Sequence, residues 1–373
     1  MMLSSRETSF PPAGSSGTAV ACRNESATLS PVTEMEPRQN SGSASATRIS
    51  ALDFTKGTLV LVMVLYHWLN YFVGPQGSYY RYLSFLPPSF ICITGFLISH
   101  VYLSRYRITD PKLPRRLAIR GLKILAIFVA LNVIISVVVP RNGRTIFDML
   151  SPASLWSVYV SGNMTGGRVV AFYVLVPISY VLVLSAGILV VCRYYRYAFH
   201  VATAVALLGI FAMSMDGKKS QNLDLLAVGL LGISIGYIPI ERINRWLKRS
   251  YLVVLAYLLY LAAITVWNVP YPLQVTGVLL TLMVIYLVGM ASGDSSKASQ
   301  TLIRLGKYSL FGYIAQIAIL QILRRLLPME LAAWELVLSF LGAAALTVVS
   351  VETVDVARVK VPFVNRIYAA VFS

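Results

Sequence analysis

The sequence predicts an all-α membrane protein, a polytopic helical bundle of about ten transmembrane helices. Hydrophobic residues make up 57% of the 373-residue chain and charged residues only 13%, about half the charged fraction of an ordinary soluble domain. The mean hydropathy of +0.70 exceeds what a soluble fold of this size can bury. After Arg48, apolar segments of nearly membrane-spanning length follow one another at regular intervals.

Two regions are expected. Residues 1–48 are rich in Ser, Thr, Ala, Asn and Pro without any period, which is typical of a disordered tail, here placed in the cytoplasm. Residues 49–373 form one transmembrane domain. The first residues lack the apolar core of a cleavable signal peptide, and Met35 is an alternative start.

Each span is predicted from an apolar segment of roughly 20 residues. The ten predicted spans are 51–73, 83–104, 115–139, 168–191, 198–215, 222–239, 251–269, 272–291, 308–327 and 331–354. The loop before the fourth span contains a stretch, 150–160, that suits a surface or re-entrant helix.

The distribution of charge predicts the orientation and the surroundings. The net charge is +17, and most Lys and Arg residues outside the spans fall in the loops on one side. The positive-inside rule therefore places both termini in the cytoplasm. Basic residues that alternate with apolar segments indicate a lipid bilayer as the partner, not nucleic acid. The cell membrane, a bacterial inner membrane by default, is the expected location, with a eukaryotic endomembrane as the alternative.

Metal chemistry is not expected. The chain has three cysteines and three histidines, at wide spacing, which fits neither a zinc site nor a disulfide framework. We expect no metal at the functional site.

The first span carries the strongest set of ionisable residues, Asp53, Lys56 and His67. Such residues are costly in hydrocarbon, so they are candidates for function. On a helix Lys56 and His67 differ by about 20° in direction, and Asp53 lies within about 60° of both. His67 suits a general base near pH 7. The structural alternatives are a packed histidine and an i,i+3 ion pair between Asp53 and Lys56.

Two further clusters stand out. At the start of the third span, Arg115 and Arg116 precede Arg120, and Arg116, Arg120 and Lys123 form one basic helical stripe. The stripe suits phosphate groups at the cytoplasmic surface, or alternatively lipid headgroups. In the ninth span Tyr313 and Gln316 share a face, either for chemistry or for hydrogen bonds between helices.

Four motifs, in order, resemble those of the membrane-bound acyltransferase-3 superfamily. Leu52-Asp53, then Lys56-Gly57, with His67 fourteen residues after Asp53, is similar to its first-span signature. The other three motifs are 88–98 with Thr94-Gly95-Phe96-Leu97-Ile98, the basic residues Arg115, Arg116 and Arg120, and Leu305-Gly306 followed by Ser309, Tyr313 and Gln316.

Three residues depart from the pattern of that superfamily. Lys56 stands where Arg is usual, which removes a bidentate contact. Thr94 replaces the common Ser. Gln316 stands where many relatives have a second His, and this resembles the branch of heparan-glucosaminide N-acetyltransferase-like proteins.

The resemblance implies transfer of an acyl group, acetyl or succinyl, from cytoplasmic acyl-CoA to a carbohydrate on the far side of the membrane. Arg115, Arg116 and Arg120 would hold the CoA phosphates, and His67 would act as base or nucleophile. Tyr313 and Gln316 would donate to the thioester oxygen.

Asp53 and Lys56 would shape the inner mouth of the site. A secondary transporter or flippase and a non-catalytic family member are the alternative functions. The acyl group, the acceptor glycan, O- versus N-acylation and the oligomeric state stay open.

Overall fold

The computed structural model describes most of the chain after the N-terminal tail. The described residues are 49–74, 78–103, 110–138, 151–162, 172–195, 197–217, 219–247, 250–267, 270–293, 296–328 and 331–372. They belong to one compact unit, Ser45–Ser373. The predicted disordered tail, 1–48, lies outside the described residues.

These described residues form helices and contain no strand, which confirms the predicted all-α class. The helices are α1 Ser50–Trp68, α2 Tyr80–Leu83, α3 Leu86–Leu97, α4 Lys112–Val138, α5 Pro152–Leu155, α6 Leu175–Cys192, α7 Ala198–Met215, α8 Gln221–Gly236, α9 Ile240–Leu247, α10 Ser250–Val266, α11 Tyr271–Ser292, α12 Lys297–Lys307, α13 Ser309–Leu326, α14 Ala333–Lys360 and α15 Pro362–Phe372. Wider π-helical turns extend α1, α3 and α5 to Val73, Leu103 and Ser161.

Seven helical segments in the described part of the chain are long and apolar enough to cross a membrane. The number rises to eight if α8 and α9, which meet at a bend of 96°, count as one broken span. Each of the ten predicted spans coincides with a helix, but three of these helices are not among the seven: α8 and α10, with 16 and 17 residues, and α13, with 18 residues and two arginines in its last turn. A multi-pass bundle is therefore confirmed, while the count of ten and the orientation stay predictions.

Helix α1 lies at the centre of the bundle, because α3, α11, α12, α13 and α14 all pack against it. This position explains how a helix with an aspartate, a lysine and a histidine remains largely buried. Its closest partner is α12, a helix that lies between the eighth and ninth predicted spans. The two backbones touch at Gly57 and Gly306, where a Cβ atom on either residue would collide with the other helix.

A second close helix contact, between α3 and α8, also depends on glycine. Gly95 lies against the backbone of Gly229, and Gly232 lies against the backbone of Cys92. Small residues of this kind let membrane helices approach until their backbones are in van der Waals contact. The Thr94-Gly95 motif of the second span therefore has a packing role.

Besides the single turn α2, three helices were not predicted from the hydropathy pattern: α9, α12 and α15. Each is short and amphipathic, and α9 and α12 carry cations such as Arg242, Arg245 and Arg304. Short amphipathic helices give no span-length apolar segment, so a search for spans assigns them to loops. The stretch predicted as a surface or re-entrant helix is helical over α5 and its extension to Ser161.

Candidate active site

His67 occupies the last turn of α1, facing the interior of the bundle. Its Nε2 atom is buried and makes no hydrogen bond within the described structure. A buried nitrogen of this kind costs free energy, of the order of 1–3 kcal/mol, when no partner compensates for its lost hydration. The structural explanation for His67 was a packed histidine that hydrogen-bonds to a neighbouring helix. Its Nε2 atom makes no such bond among the described residues.

Tyr313 reaches His67 from α13, and Gln316 is buried on the same face of that helix. The ring centroid of Tyr313 is 6.1 Å from that of His67, and the planes are tilted by 48°. Gln316 has no exposed surface. Neither its oxygen nor its nitrogen has a hydrogen-bond partner among the residues described. The sequence placed Tyr313 and Gln316 on one face of α13, and the structure brings that face to α1.

The direction of Gln316 follows from the contacts one turn before and after it. A Cβ atom on Gly312 would lie 3.2 Å from the side chain of Val60. Leu320 belongs to the same buried cluster as Val64. Since Gln316 lies four residues from both Gly312 and Leu320, its amide points toward α1 between these contacts.

Aromatic rings complete the wall around His67, and the sequence analysis did not single them out. Tyr66 lies edge-on to His67 at 5.2 Å and packs on Tyr80 at 5.3 Å. Phe172 packs edge-on against Tyr313 at 6.1 Å. Of these rings, only Tyr66 could have been predicted from the sequence, because it is next to His67. Nothing in the sequence around Phe172, which precedes α6, indicates its contact with Tyr313.

Asp53 and Lys56 form a separate, buried ion pair near the other end of α1. Lys56 Nζ is 2.5 Å from Asp53 Oδ1, and the two side chains are 15% and 6% exposed. The predicted i,i+3 pair is thus present. Helical rise places Asp53 about 21 Å from His67 along α1. The pair cannot touch groups that react at His67, so any role in the reaction is indirect.

The start of α4 carries the predicted basic stripe. Arg115 and Arg116 are exposed. Arg120 is half-buried, donates a hydrogen bond to the Tyr102 hydroxyl, and lies over its ring, 5.8 Å from the centroid. Two arginines of the three are thus accessible at the surface, while the third is held against the end of the second span.

The C-terminal helix α15 lies beside this basic stripe. The ammonium group of Lys123 donates to the carbonyl of Ala370 at 3.2 Å. The Arg358 guanidinium lies 4.1 Å from the Tyr368 ring centroid. Burial raises the pKa of the Tyr368 hydroxyl to about 12, and the charges of Arg358 and Arg120 oppose that shift. The end of the chain therefore forms part of the surface around the stripe.

The structure thus divides the predicted site residues into three places. His67 and Tyr313 come together, and Gln316 lies on the same face of α13, turned toward α1. Asp53 and Lys56 pair elsewhere on α1, and the arginines lie at the start of α4. No group of three or more His, Cys, Asp or Glu residues in the described ranges could hold a metal ion. The expectation of a metal-free reaction stays a prediction.

Together, a polytopic helical bundle and a histidine whose buried Nε2 atom makes no hydrogen bond among the described residues define a membrane protein with a candidate reaction centre inside the bundle. A family model described as an acyltransferase domain, of the acyltransferase-3 type, matches residues 49–352. Because the match covers most of the chain, the protein belongs to the acyltransferase-3 family, as its motifs indicated. No curated protein and no solved structure gives a significant match.

The family match confirms the superfamily that the four motifs predicted. It establishes a multi-pass membrane protein with an acyltransferase domain. It does not extend to the heparan-glucosaminide branch suggested by Gln316, which stays a prediction.

Proposed function

We propose that this acyltransferase takes an acetyl or succinyl group from cytoplasmic acyl-CoA and transfers it to a carbohydrate on the other side of the membrane. His67 is the base, and Tyr313 and Gln316 bind the thioester oxygen. The supporting observation is that three buried polar atoms, His67 Nε2 and both amide atoms of Gln316, lack partners in the described structure. A substrate that supplies those partners would recover the free energy that their burial costs.

The proposed chemistry uses the three side chains in distinct roles. His67 Nε2 removes the proton from an acceptor hydroxyl or amine as its oxygen or nitrogen attacks the thioester carbon. The Tyr313 hydroxyl and the Gln316 amide donate to the carbonyl oxygen while it carries negative charge. The C–S bond then breaks, and the imidazolium returns the proton to the departing CoA sulfur. An ester or amide and free CoA thiol are the products.

The position of His67 supports transfer across the membrane. His67 lies in the last turn of α1, whereas the basic stripe begins α4. With α1 entering from the cytoplasm, His67 lies about two-thirds of the way through a hydrocarbon core of roughly 30 Å. The exposed cations Arg115 and Arg116 suit the CoA phosphates at the cytoplasmic surface, from which the pantetheine chain would extend inward.

The decisive experiment compares wild type with His67→Gln in lipid nanodiscs. Radiolabelled acetyl-CoA and succinyl-CoA are supplied with a panel of membrane glycans, and free CoA and labelled glycan are followed. We expect transfer to fall at least a hundredfold in His67→Gln, while calorimetry shows unchanged binding of acyl-CoA.

A matched control is His200→Gln, because His200 is an exposed histidine at the start of α7. It should keep wild-type transfer. If wild type binds neither acyl-CoA, the proposed donor is wrong. Equal transfer by wild type and His67→Gln would instead remove His67 from the chemistry.

A further inference from the structure

Two cavities open at the end of the bundle that contains His67. The first, of about 240 Å³, is lined by residues from the end of α7 and the starts of α8 and α11, among them Ser214, Asp224 and Tyr271. The second, of about 420 Å³, is lined by α2, α10 and α11, with Arg81, Tyr260 and Trp267 in its wall. The larger volume falls within the roughly 300–1,000 Å³ typical of small-molecule sites.

Gln274 lines both cavities, so the two adjoin at one side chain. We name this pair of cavities the outer groove. It is exposed at Gln274 and at Trp267, whose side chain is 68% accessible. A groove with two adjoining compartments suits an extended ligand with more than one unit.

The first compartment contains one cation and one anion, Lys219 and Asp224, together with neutral polar groups. The Lys219 ammonium attracts the Asp224 carboxylate electrostatically. The hydroxyl of Ser214 and the amide of Gln274 add both donors and acceptors. A compartment with this balance favours a neutral polyhydroxyl ligand over an anion.

The wall of the second compartment is mainly apolar and is held by contacts between α2, α10 and α11. The Arg81 guanidinium donates to the Thr265 carbonyl at 3.1 Å, which ties α2 to the end of α10. Tyr260 is buried against α11 at Gly277, where a Cβ atom would meet its ring. The exposed face of Trp267 then offers a flat surface for the apolar face of a ring, with the Gln274 amide beside it.

The groove is linked to the aromatic wall of the reaction centre through Arg81, the sequence neighbour of Tyr80. Arg81 follows Tyr80, whose ring packs on Tyr66, and Tyr66 packs on His67. The positive-inside expectation places this end of the bundle outside the cytoplasm. A ligand in the groove would therefore approach His67 from the side opposite to acyl-CoA.

We propose that the outer groove, built around Asp224, Trp267 and Gln274, binds the carbohydrate acceptor as an uncharged chain of at least two sugar units. This inference deepens the proposed function and depends on it, since it names the substrate class and the place where the substrate is held. The two compartments hold neighbouring sugars, and Gln274 contacts both.

The test is saturation-transfer NMR with the full chain in nanodiscs. The probes are the methyl glycosides of glucose, galactose and N-acetylglucosamine and a disaccharide, methyl β-cellobioside, with inorganic phosphate titrated as a competing ligand. In wild type we expect a saturation-transfer signal from the glycosides. The signal should be stronger for the disaccharide and should not change when phosphate is added. Trp267→Ala and Gln274→Ala should each reduce the signal at least fivefold.

Matched controls are Trp334→Ala, an exposed tryptophan at the start of α14, and Thr276→Ala, an exposed residue of α11 that lines neither compartment. Both should keep the wild-type signal. The inference would be overturned if no glycoside gave a saturation-transfer signal or if phosphate displaced the bound glycosides. It would also be overturned if the signal survived both groove substitutions.

His67→Ala separates this inference from the proposed function. It should still bind the glycosides, because the groove does not include His67. Calorimetry with acyl-CoA is run on the same samples. If acyl-CoA does not bind while the glycosides bind through Trp267 and Gln274, the donor proposal fails and the groove stands. If acyl-CoA binds but the glycosides do not, the donor proposal stands and the acceptor groove is ruled out.

Discussion

The imidazole of His67 and the phenol ring of Tyr313 lie 6.1 Å apart across the contact between α1 and α13. Gln316, one turn further along α13, is fully buried, and its amide lacks a partner in the part of the chain that the structure describes. Two helices far apart in sequence thus bring His67 and Tyr313 together, with Gln316 buried on the same face of α13. The following predictions test what each of these side chains, and the contacts that hold them, contribute.

Tyr313→Phe should keep the ring packing against His67 and Phe172 while removing the hydroxyl. If the hydroxyl donates to the thioester oxygen, the maximal rate of transfer should fall about 10²-fold, with an unchanged KM for acyl-CoA. Steady-state kinetics in nanodiscs measure both constants. A rate within twofold of wild type would assign Tyr313 to packing alone.

Gln316→Leu should separate stability from activity. Replacing a buried amide without partners by an apolar side chain of similar size should stabilise the protein by about 1 kcal/mol, seen as a higher thermal midpoint. Transfer should fall at least tenfold, because the amide donor is lost. A raised midpoint with full activity would show that Gln316 serves no catalytic purpose.

The Asp53–Lys56 pair should be structural. Lys56→Met leaves a buried carboxylate without its cation and should cost about 3 kcal/mol. The double variant Asp53→Asn with Lys56→Met removes both charges, so it should recover most of the lost stability. Activity should follow stability in both variants. Loss of transfer in a well-folded double variant would instead show a role at the inner mouth.

Gly306→Ala should destabilise the contact between α12 and α1. Its Cβ atom would collide with the backbone of Asp53, and forcing the helices apart costs about 1–3 kcal/mol. Gly342→Ala is the control, because a Cβ atom there meets nothing within 4 Å. In the middle of α14 it should be neutral or stabilise by up to about 1 kcal/mol. Equal thermal midpoints would contradict the close contact.

Arg115→Gln together with Arg116→Gln should weaken binding of acyl-CoA without harming the fold, since both side chains are exposed. We expect the KM for acyl-CoA to rise about tenfold, because charge-assisted hydrogen bonds to phosphate are lost. The maximal rate should stay within twofold. Arg325→Gln, an exposed cation near the end of α13, is the control. An equal rise in KM for the Arg115/Arg116 double variant and for Arg325→Gln would show that the two arginines do not bind the CoA phosphates specifically.

Much of the candidate site could be predicted from local spacing. Helical periodicity placed Asp53, Lys56 and His67 on one inward face of α1 and Tyr313 with Gln316 on one face of α13. Four motifs in the same order as in the acyltransferase-3 superfamily predicted the family, and the family match confirms it. Each of these inferences needs only the rise and rotation of a single helix.

What the sequence determined by itself is the membrane class, the helical segments and the polar residues within them, because hydropathy and helical spacing are local properties. The tertiary structure decided which helices meet. It placed Tyr313 beside His67, turned Gln316 toward α1, made Gly306 a contact with Asp53, and grouped Asp224, Trp267 and Gln274 in one groove. Lipid tails are as apolar as buried leucines, so hydropathy does not show which face of a span meets a neighbour. Close packing around small residues, which depends on all the helices together, makes that choice.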